Sequence, residues 1–267
     1  MGTRVRRGVR QGGAALRQRL IARFGRRQPP APGPIEYWPA LGGRSVVAFG
    51  DIHGRDDLLA RAHARLDALS AARGLCPLEI YLGDLIDRGP DSRDVVERLI
   101  ARAREREVIA LRGNHEAMLL RALDDDEALR LWLAQGGEAT LRAYRGAPPE
   151  GQGGAASARE ILRRALPPAH LAFLRGMPVS YTIGALLFVH AGIRPGRLID
   201  QQDEEDLLWI REPFLSSERD HGLLVVHGHS PVAEPDFRFN RINIDTGAVY
   251  TGRLTALLIS DRAIEIV

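Results

Sequence analysis

The chain has 267 residues, 45% of them hydrophobic, and a formal net charge of +3. That length supports one large domain or two small ones with a sizeable core. A lone cysteine, Cys76, excludes an intramolecular disulfide and a thiolate zinc site, and no apolar run approaches the ~18 residues that span a bilayer.

The charge is unevenly spread. Residues 1–35 carry nine arginines and no acid, and the chain contains no lysine. Within this arm, Ala14–Phe24 places apolar residues at near-helical spacing, and QPPAPGP (Gln28–Pro34) follows as a stiff linker. Residues 1–35 are therefore expected to be a disordered basic arm. Its composition suits an idle tail, a weak contact with a membrane surface, nucleic acid or protein partner, or a mitochondrial presequence, and nothing in the sequence separates these. The segment lacks the apolar core of a secretory signal, and Arg6 breaks the myristoylation pattern after Gly2. A cytoplasmic location is expected, with no specific nucleic-acid partner.

From Ser45 the pattern becomes that of a folded domain, taken here as 36–267. SVVAF (45–49) reads as a buried strand, Asp56–Ala72 as an amphipathic helix, LEIYL (78–82) as a second strand, Ser92–Arg106 as a helix and VIAL (108–111) as a third strand. This is an α/β rhythm. Glu116–Leu123 continues as helix. Residues 124–178 read as a helical insertion over one edge of the core, with helical pieces around Leu129–Leu133 and Arg159–Leu174 and a loop at Gly146–Gly154. Asp124, Asp125 and Asp126 suit a helix N-terminus better than a calcium loop, and Leu129, Trp132 and Leu133 suit the insertion's core. The remaining signals are strands: ALLFV (185–189), LLVV (223–226), INID (242–245), LTALLI (254–259) and AIEIV (263–267).

Five of these strands end in polar motifs. They are GDIHG (50–54), GDLIDRG (83–89), RGNHE (112–116), HAG (190–192) and HGHS (227–230). In open α/β sheets the carboxyl ends of strands face the ligand. A carboxylate, imidazole and amide mixture without thiolate suits manganese, iron or zinc. It offers more ligands than one ion needs, so two ions sharing a carboxylate are expected.

The five blocks, in order across residues 50–230, resemble the metal-dependent phosphoprotein phosphatase superfamily, and NIDTGAVYTGRLTAL (243–257) resembles the C-terminal region of its bacterial and phage members. The resemblance implies a metallophosphoesterase-type αββα sandwich and a phosphomonoesterase using two divalent ions, manganese first, with direct in-line attack by activated water. It implies Asp51 and His53 as ligands of the first metal, Asp84 as the bridge, and Asn114, His190 and His229 as ligands of the second. His115 matches the residue that protonates the leaving oxygen, Asp87 the carboxylate that orients it, and Arg88, Arg112 and Arg211 the arginines that hold phosphate. The substrate implied is a serine/threonine phosphoprotein, with dual specificity or a phosphorylated small molecule also in range. Symmetrical dinucleoside tetraphosphate cleavage is the alternative, and Asp87 together with RGNHE favours the phosphatase. A catalytically dead phosphate-binding module is the alternative of another class, and no motif residue has been lost to support it. His227 is expected to pack behind the ligands, and His63, His170 and His221 to be structural.

Overall fold

The computed structural model describes residues 40–145 and 158–267. The basic arm, its linker and the Gly146–Gly154 loop lie outside the described residues.

The first three strands carry β-branched, aromatic and leucine side chains in pairs that point to opposite faces. β1 (Val46–Phe49), β2 (Leu78–Tyr81) and β3 (Val108–Ala110) run parallel, with Val46 opposite Leu78 and Glu79 opposite Val108. The crossovers between them are helices α1 (Asp56–Arg73) and α2 (Ser92–Arg102). β9 (Ala256–Ile259) returns antiparallel to β1, and β10 (Ile264–Ile266) pairs with β9, giving the order β10-β9-β1-β2-β3. The second sheet has the order β4-β5-β6-β8-β7, from β4 (Ser180–Ile183), β5 (Leu186–Val189), β6 (Leu224–His227), β7 (Asp236–Phe237) and β8 (Arg241–Asn243). β5, β6 and β8 are parallel to one another.

The alternation of the strands decides which side chains meet. Val46, Ala48, Leu78 and Ile80 face Leu186, Phe188, Leu224 and Val226 across the two sheets. Val47, Phe49 and Tyr81, on the opposite face, pack with the helices. On the outside of the second sheet, Leu187, Val189 and Val225 are covered by Leu207, Ile210 and Phe214, from helix α8 (Glu204–Trp209) and the turn after it. The result is the expected αββα sandwich, with one thin outer layer.

The insertion is divided more finely than the sequence suggests. α3 (Asn114–Ala122) leads into it, and it comprises α4 (Asp126–Trp132), a kinked π-type turn at Leu133–Gly137, then α5 (Glu138–Arg145), α6 (Ala158–Ala165) and α7 (Pro168–Gly176). Its Trp132, Tyr144, Leu162 and Leu174 are buried in one cluster with Val95, Leu99 and Leu119, so it packs with the helical layer. The single helical piece expected at Arg159–Leu174 divides at Pro167, because Pro168 lacks the N–H that an uninterrupted helix needs but fits a first turn. The N-terminal reading of Asp124–Asp126 holds: Asp125 caps α4 by accepting from the amides of Glu127 and Ala128. β4 and β7 lacked a sequence signal because they are edge strands, half-exposed and, for β7, two residues long.

Candidate metal centre

Parallel strands deliver their carboxyl ends to the same edge, and the chain must then turn sharply. Among the described residues, the non-glycine positions with positive φ are His53 (48°), Asp84 (49°), Asp87 (72°), Arg88 (69°) and His229 (63°). Each costs on the order of 1 kcal/mol or more, and all five follow strand ends. Glycine makes the crowding possible: a Cβ on Gly83, whose φ is 97°, would stand 2.5 Å from the backbone nitrogen of Gly113. The GDLIDRG and RGNHE loops therefore touch backbone to backbone.

Asp84 lies at the centre. Its Oδ2 is 3.4 Å from His53 Nε2 and 3.9 Å from His115 Nε2, and its Oδ1 is 3.4 Å from His190 Nε2. Two groups of close donor atoms share it, His53–Asp84–His115 and Asp84–His190–His229, all buried. The imidazole tautomers follow from their other nitrogens. His53 Nδ1 donates to the Ile86 carbonyl and His190 Nδ1 to the Leu82 carbonyl, each at 2.9 Å. Burial keeps these rings neutral, pushing His53 down to about 3, His229 down to about 2, and His190 below its ordinary range. The Nε2 atom of His190 consequently offers a lone pair, 2.8 Å from Asn114 Oδ1, itself an acceptor. His229 Nδ1 is 2.9 Å from the same oxygen, and its buried Nε2 has no hydrogen-bond partner.

Convergent lone pairs repel unless a cation lies among them, and neutral imidazole is the form that ligates. The charge points the same way. Asp51, Asp84, Asp87, Glu116 and Asp245 are all at least nine-tenths buried. Burial, with the charges of Asp245 and Asp84, raises Asp51, and burial raises Asp245 to about 6. Burial would raise Asp84 too, and positive charge on a neighbouring histidine opposes this and lowers it. The residues present therefore fit two divalent ions, with Asp84 between them and His190, His229 and Asn114 forming the more complete donor set.

The other sequence-derived residues have different partners. Asp51 does not join the His53 group: it accepts from the His229 amide at 3.2 Å and lies against Asp245, an approach allowed because Gly228 has no Cβ there. Arg88 donates to His53 Nε2 at 2.6 Å and His115 Nε2 at 2.9 Å, being the guanidinium nearest those lone pairs. Arg112 bonds to the Arg175 carbonyl at 3.0 Å and Glu204 at 3.4 Å rather than to a cluster residue. Arg211 is exposed but close enough for its charge to help depress His229.

His115 and Asp87 lie in direct contact: Nδ1 of His115 is 2.6 Å from Asp87 Oδ2. Burial lowers the affinity of His115 for a proton, but the carboxylates of Asp84 and Asp87 outweigh it and raise the net value. His227 donates from Nδ1 to the Gly228 carbonyl and packs edge-on against Phe214, outside both groups. His63 bonds Tyr81, and His170 bonds Tyr144 and Glu97.

Sequence reasoning missed several supports. Glu116, fully buried, accepts from the amides of Gly113, Asp84, Leu85 and Ile86, at 2.8, 2.9, 2.8 and 3.3 Å. Thr140 donates to Asp87 Oδ1 at 2.6 Å, and Ser92 accepts from the Asp87 amide at 3.0 Å. Trp132 is core, as read, but its indole N–H also donates to Asp87 Oδ2 at 2.8 Å. A buried Glu inside a motif is a readable signal; the reach of the insertion to Asp87 is not.

Residues 44–253 match the model of the calcineurin-like phosphoesterase family. An asymmetrical bis(5'-nucleosyl)-tetraphosphatase of Geobacillus thermodenitrificans is 30% identical over 194 residues, covering 66% of this chain and 73% of that one. Serine/threonine-protein phosphatase 1 of Salmonella typhimurium is 33% identical over 224 residues, covering 79% and 90%. A solved structure described as a candidate diadenosine tetraphosphatase superposes with a TM-score of 0.61 at 24% identity, covering 86% and 95%.

Proposed function

Because the chain belongs to the calcineurin-like phosphoesterase family, a family of phosphoric ester hydrolases, we propose that it is a phosphomonoesterase acting on phosphoserine and phosphothreonine in proteins, dual specificity included. The observation that carries this reading is the Asp87–His115 contact at 2.6 Å, beside the carboxylate that the two donor groups share. Serine and threonine leave as alkoxides, whose conjugate acids are very weak, so their departure needs a proton. A nucleotide leaving from a polyphosphate is already a stable anion and needs none.

Each side chain then has a task. His53 and Asp84, with Asp51 nearby, would hold one metal ion, and Asp84, Asn114, His190 and His229 would hold the other. Manganese is the proposed metal, with iron and zinc as the other ions this donor set suits. Metal ions bound there supply an activated water and Lewis-acid stabilisation of the phosphoryl oxygens. Arg88 binds the substrate phosphate through its guanidinium fork, with Arg112 and Arg211 contributing positive charge at the rim. With Arg88 engaged by phosphate, Nε2 of His115 is left to hold the proton that Asp84 and Asp87 favour and to pass it to the leaving oxygen. Asp87 keeps the ring in the orientation and tautomer this requires.

The names of the tetraphosphatase relatives support a second reading, hydrolysis of dinucleoside tetraphosphates. Those names specify asymmetrical cleavage, whereas the alternative read from the sequence is the symmetrical reaction. The test is kcat/KM for a phosphoserine peptide against diadenosine tetraphosphate, with manganese present. Preference for the peptide supports the proposal. Preference for the dinucleotide by orders of magnitude replaces it, and the products then decide the mode: two ADP for symmetrical cleavage, AMP and ATP for asymmetrical.

A further inference from the structure

The Asp87 carboxylate is fully buried, and apart from His115 none of the groups that bond its oxygens belongs to the motif loops. Oδ2 receives the indole N–H of Trp132 at 2.8 Å as well as facing His115 Nδ1 at 2.6 Å, and Oδ1 receives the Thr140 hydroxyl at 2.6 Å. The Thr140 hydroxyl oxygen also accepts the Asp87 amide at 2.9 Å. Trp132 and Thr140 flank the kinked turn Leu133–Gly137 of the insertion, and both are fully buried.

That turn is shaped for the contact. Gly137 packs so closely under the Trp132 indole that a Cβ would overlap the ring. Gly136, with φ of 111°, accepts the Arg88 amide through its carbonyl at 3.1 Å, and a Cβ there would stand 2.8 Å from Arg88 Cγ. One nine-residue segment, Trp132–Thr140, thus touches both Asp87 and Arg88. An apolar core filler would need none of these polar contacts.

We infer that Trp132 and Thr140 are positioning residues for proton delivery: they hold the Asp87 carboxylate in the orientation that aims His115 at the leaving oxygen. The inference deepens the general-acid reading given above and rests on it. It also gives the insertion a role in the chemistry. A carboxylate free to rotate in its pocket would present Oδ2 to His115 for only part of the time, and the loss would fall on substrates whose leaving group needs the proton.

The test compares a phosphoserine peptide, which leaves as an alkoxide, with p-nitrophenyl phosphate, whose aryl oxide leaves readily without a proton. Trp132→Phe keeps an aromatic ring at the position and removes the pyrrole half of the indole with its N–H. It should lower kcat on the peptide about tenfold, as befits a hydrogen bond to a charged group. On p-nitrophenyl phosphate kcat should change less than about threefold, with KM and bound manganese unchanged. Thr140→Val should behave likewise, and Thr140→Ser, which restores the hydroxyl, should recover most of the peptide activity. In a His115→Asn background, Trp132→Phe should add little further loss, because the two act in one chain. Equal losses on both substrates, no loss on the peptide, or full additivity with His115→Asn would overturn the inference while leaving the general acid in place. If His115→Asn alone reduced both substrates equally, the general-acid reading would fall and the positioning role with it.

Discussion

Glu116→Gln isolates the carboxylate that ties the two central loops together. In the wild type, Oε2 accepts from the amides of Gly113 at 2.8 Å and Asp84 at 2.9 Å, and Oε1 from Leu85 at 2.8 Å and Ile86 at 3.3 Å. Glutamine has one oxygen, so whichever way its amide turns, an NH2 group meets two backbone N–H donors in a fully buried site. The cheaper orientation gives up the Leu85 and Ile86 bonds, one of them long. At about 1.5–3 kcal/mol for a bond to a charged acceptor, discounted for the long one, the cost is about 2–4 kcal/mol. That is a large share of the roughly 5–15 kcal/mol that stabilises a domain. The assay is urea unfolding followed by far-UV circular dichroism at fixed manganese concentration, since a bound ion adds its own stabilisation. It should be run at pH 8, where Glu116 is ionised: burial and the Asp84 charge push it up to about 7. The unfolding free energy should fall by about 2–4 kcal/mol with the denaturant slope unchanged. A change below about 0.5 kcal/mol, within the range of an ordinary surface substitution, would refute the reasoning.

Other perturbations probe different parts of the account. Asp84→Asn should lower occupancy at both metal positions together, measured as bound manganese per chain, because its two oxygens face the two donor groups; loss at one position alone would contradict the shared-carboxylate geometry. Arg102→Ala strands Glu79, which is 1% exposed and bonded to Arg102 at 2.7 Å, and should destabilise by about 3–5 kcal/mol in urea melts. Gly136→Ala forces a Cβ into Arg88 at a φ of 111°, and should cost about 1–3 kcal/mol and weaken phosphate binding, seen as a raised inhibition constant for inorganic phosphate. Removal of residues 1–35 should leave kcat on p-nitrophenyl phosphate within about twofold, since the arm precedes β1 and holds no motif residue.

The sandwich was legible because its strands are short, doubly buried and followed at once by polar motifs. Runs such as Val46–Phe49 and Leu224–His227 admit few other readings once glycine and ligand-type residues close them. The placement of Asp84, Asn114, His115 and His190 in one cluster follows from parallel strands ending at one edge. What could not be read was anything set by side-chain direction. Asp51 follows β1 as His53 does, yet its carboxylate turns to the His229 amide because Gly228 leaves room. Arg112 follows β3 but bonds across to Glu204, a residue 92 positions later. Trp132 looked like a core residue and is one; its second task depends on one N–H meeting an oxygen 45 positions away, which periodicity does not encode.

The division of labour around Asp84 is the central claim, and His115 is where it is most exposed to test. Its Nε2 lies close enough to His53 and Asp84 to belong to a metal-binding group, whereas its contact with Asp87 is the basis of the proposed acid role. The decisive measurement is His115→Asn, with bound manganese per chain and kcat on a phosphoserine peptide determined on the same preparation. The account predicts wild-type metal content with kcat reduced about a hundredfold or more, the usual loss when a general acid is removed. Loss of metal along with activity would make His115 a ligand and contradict the account.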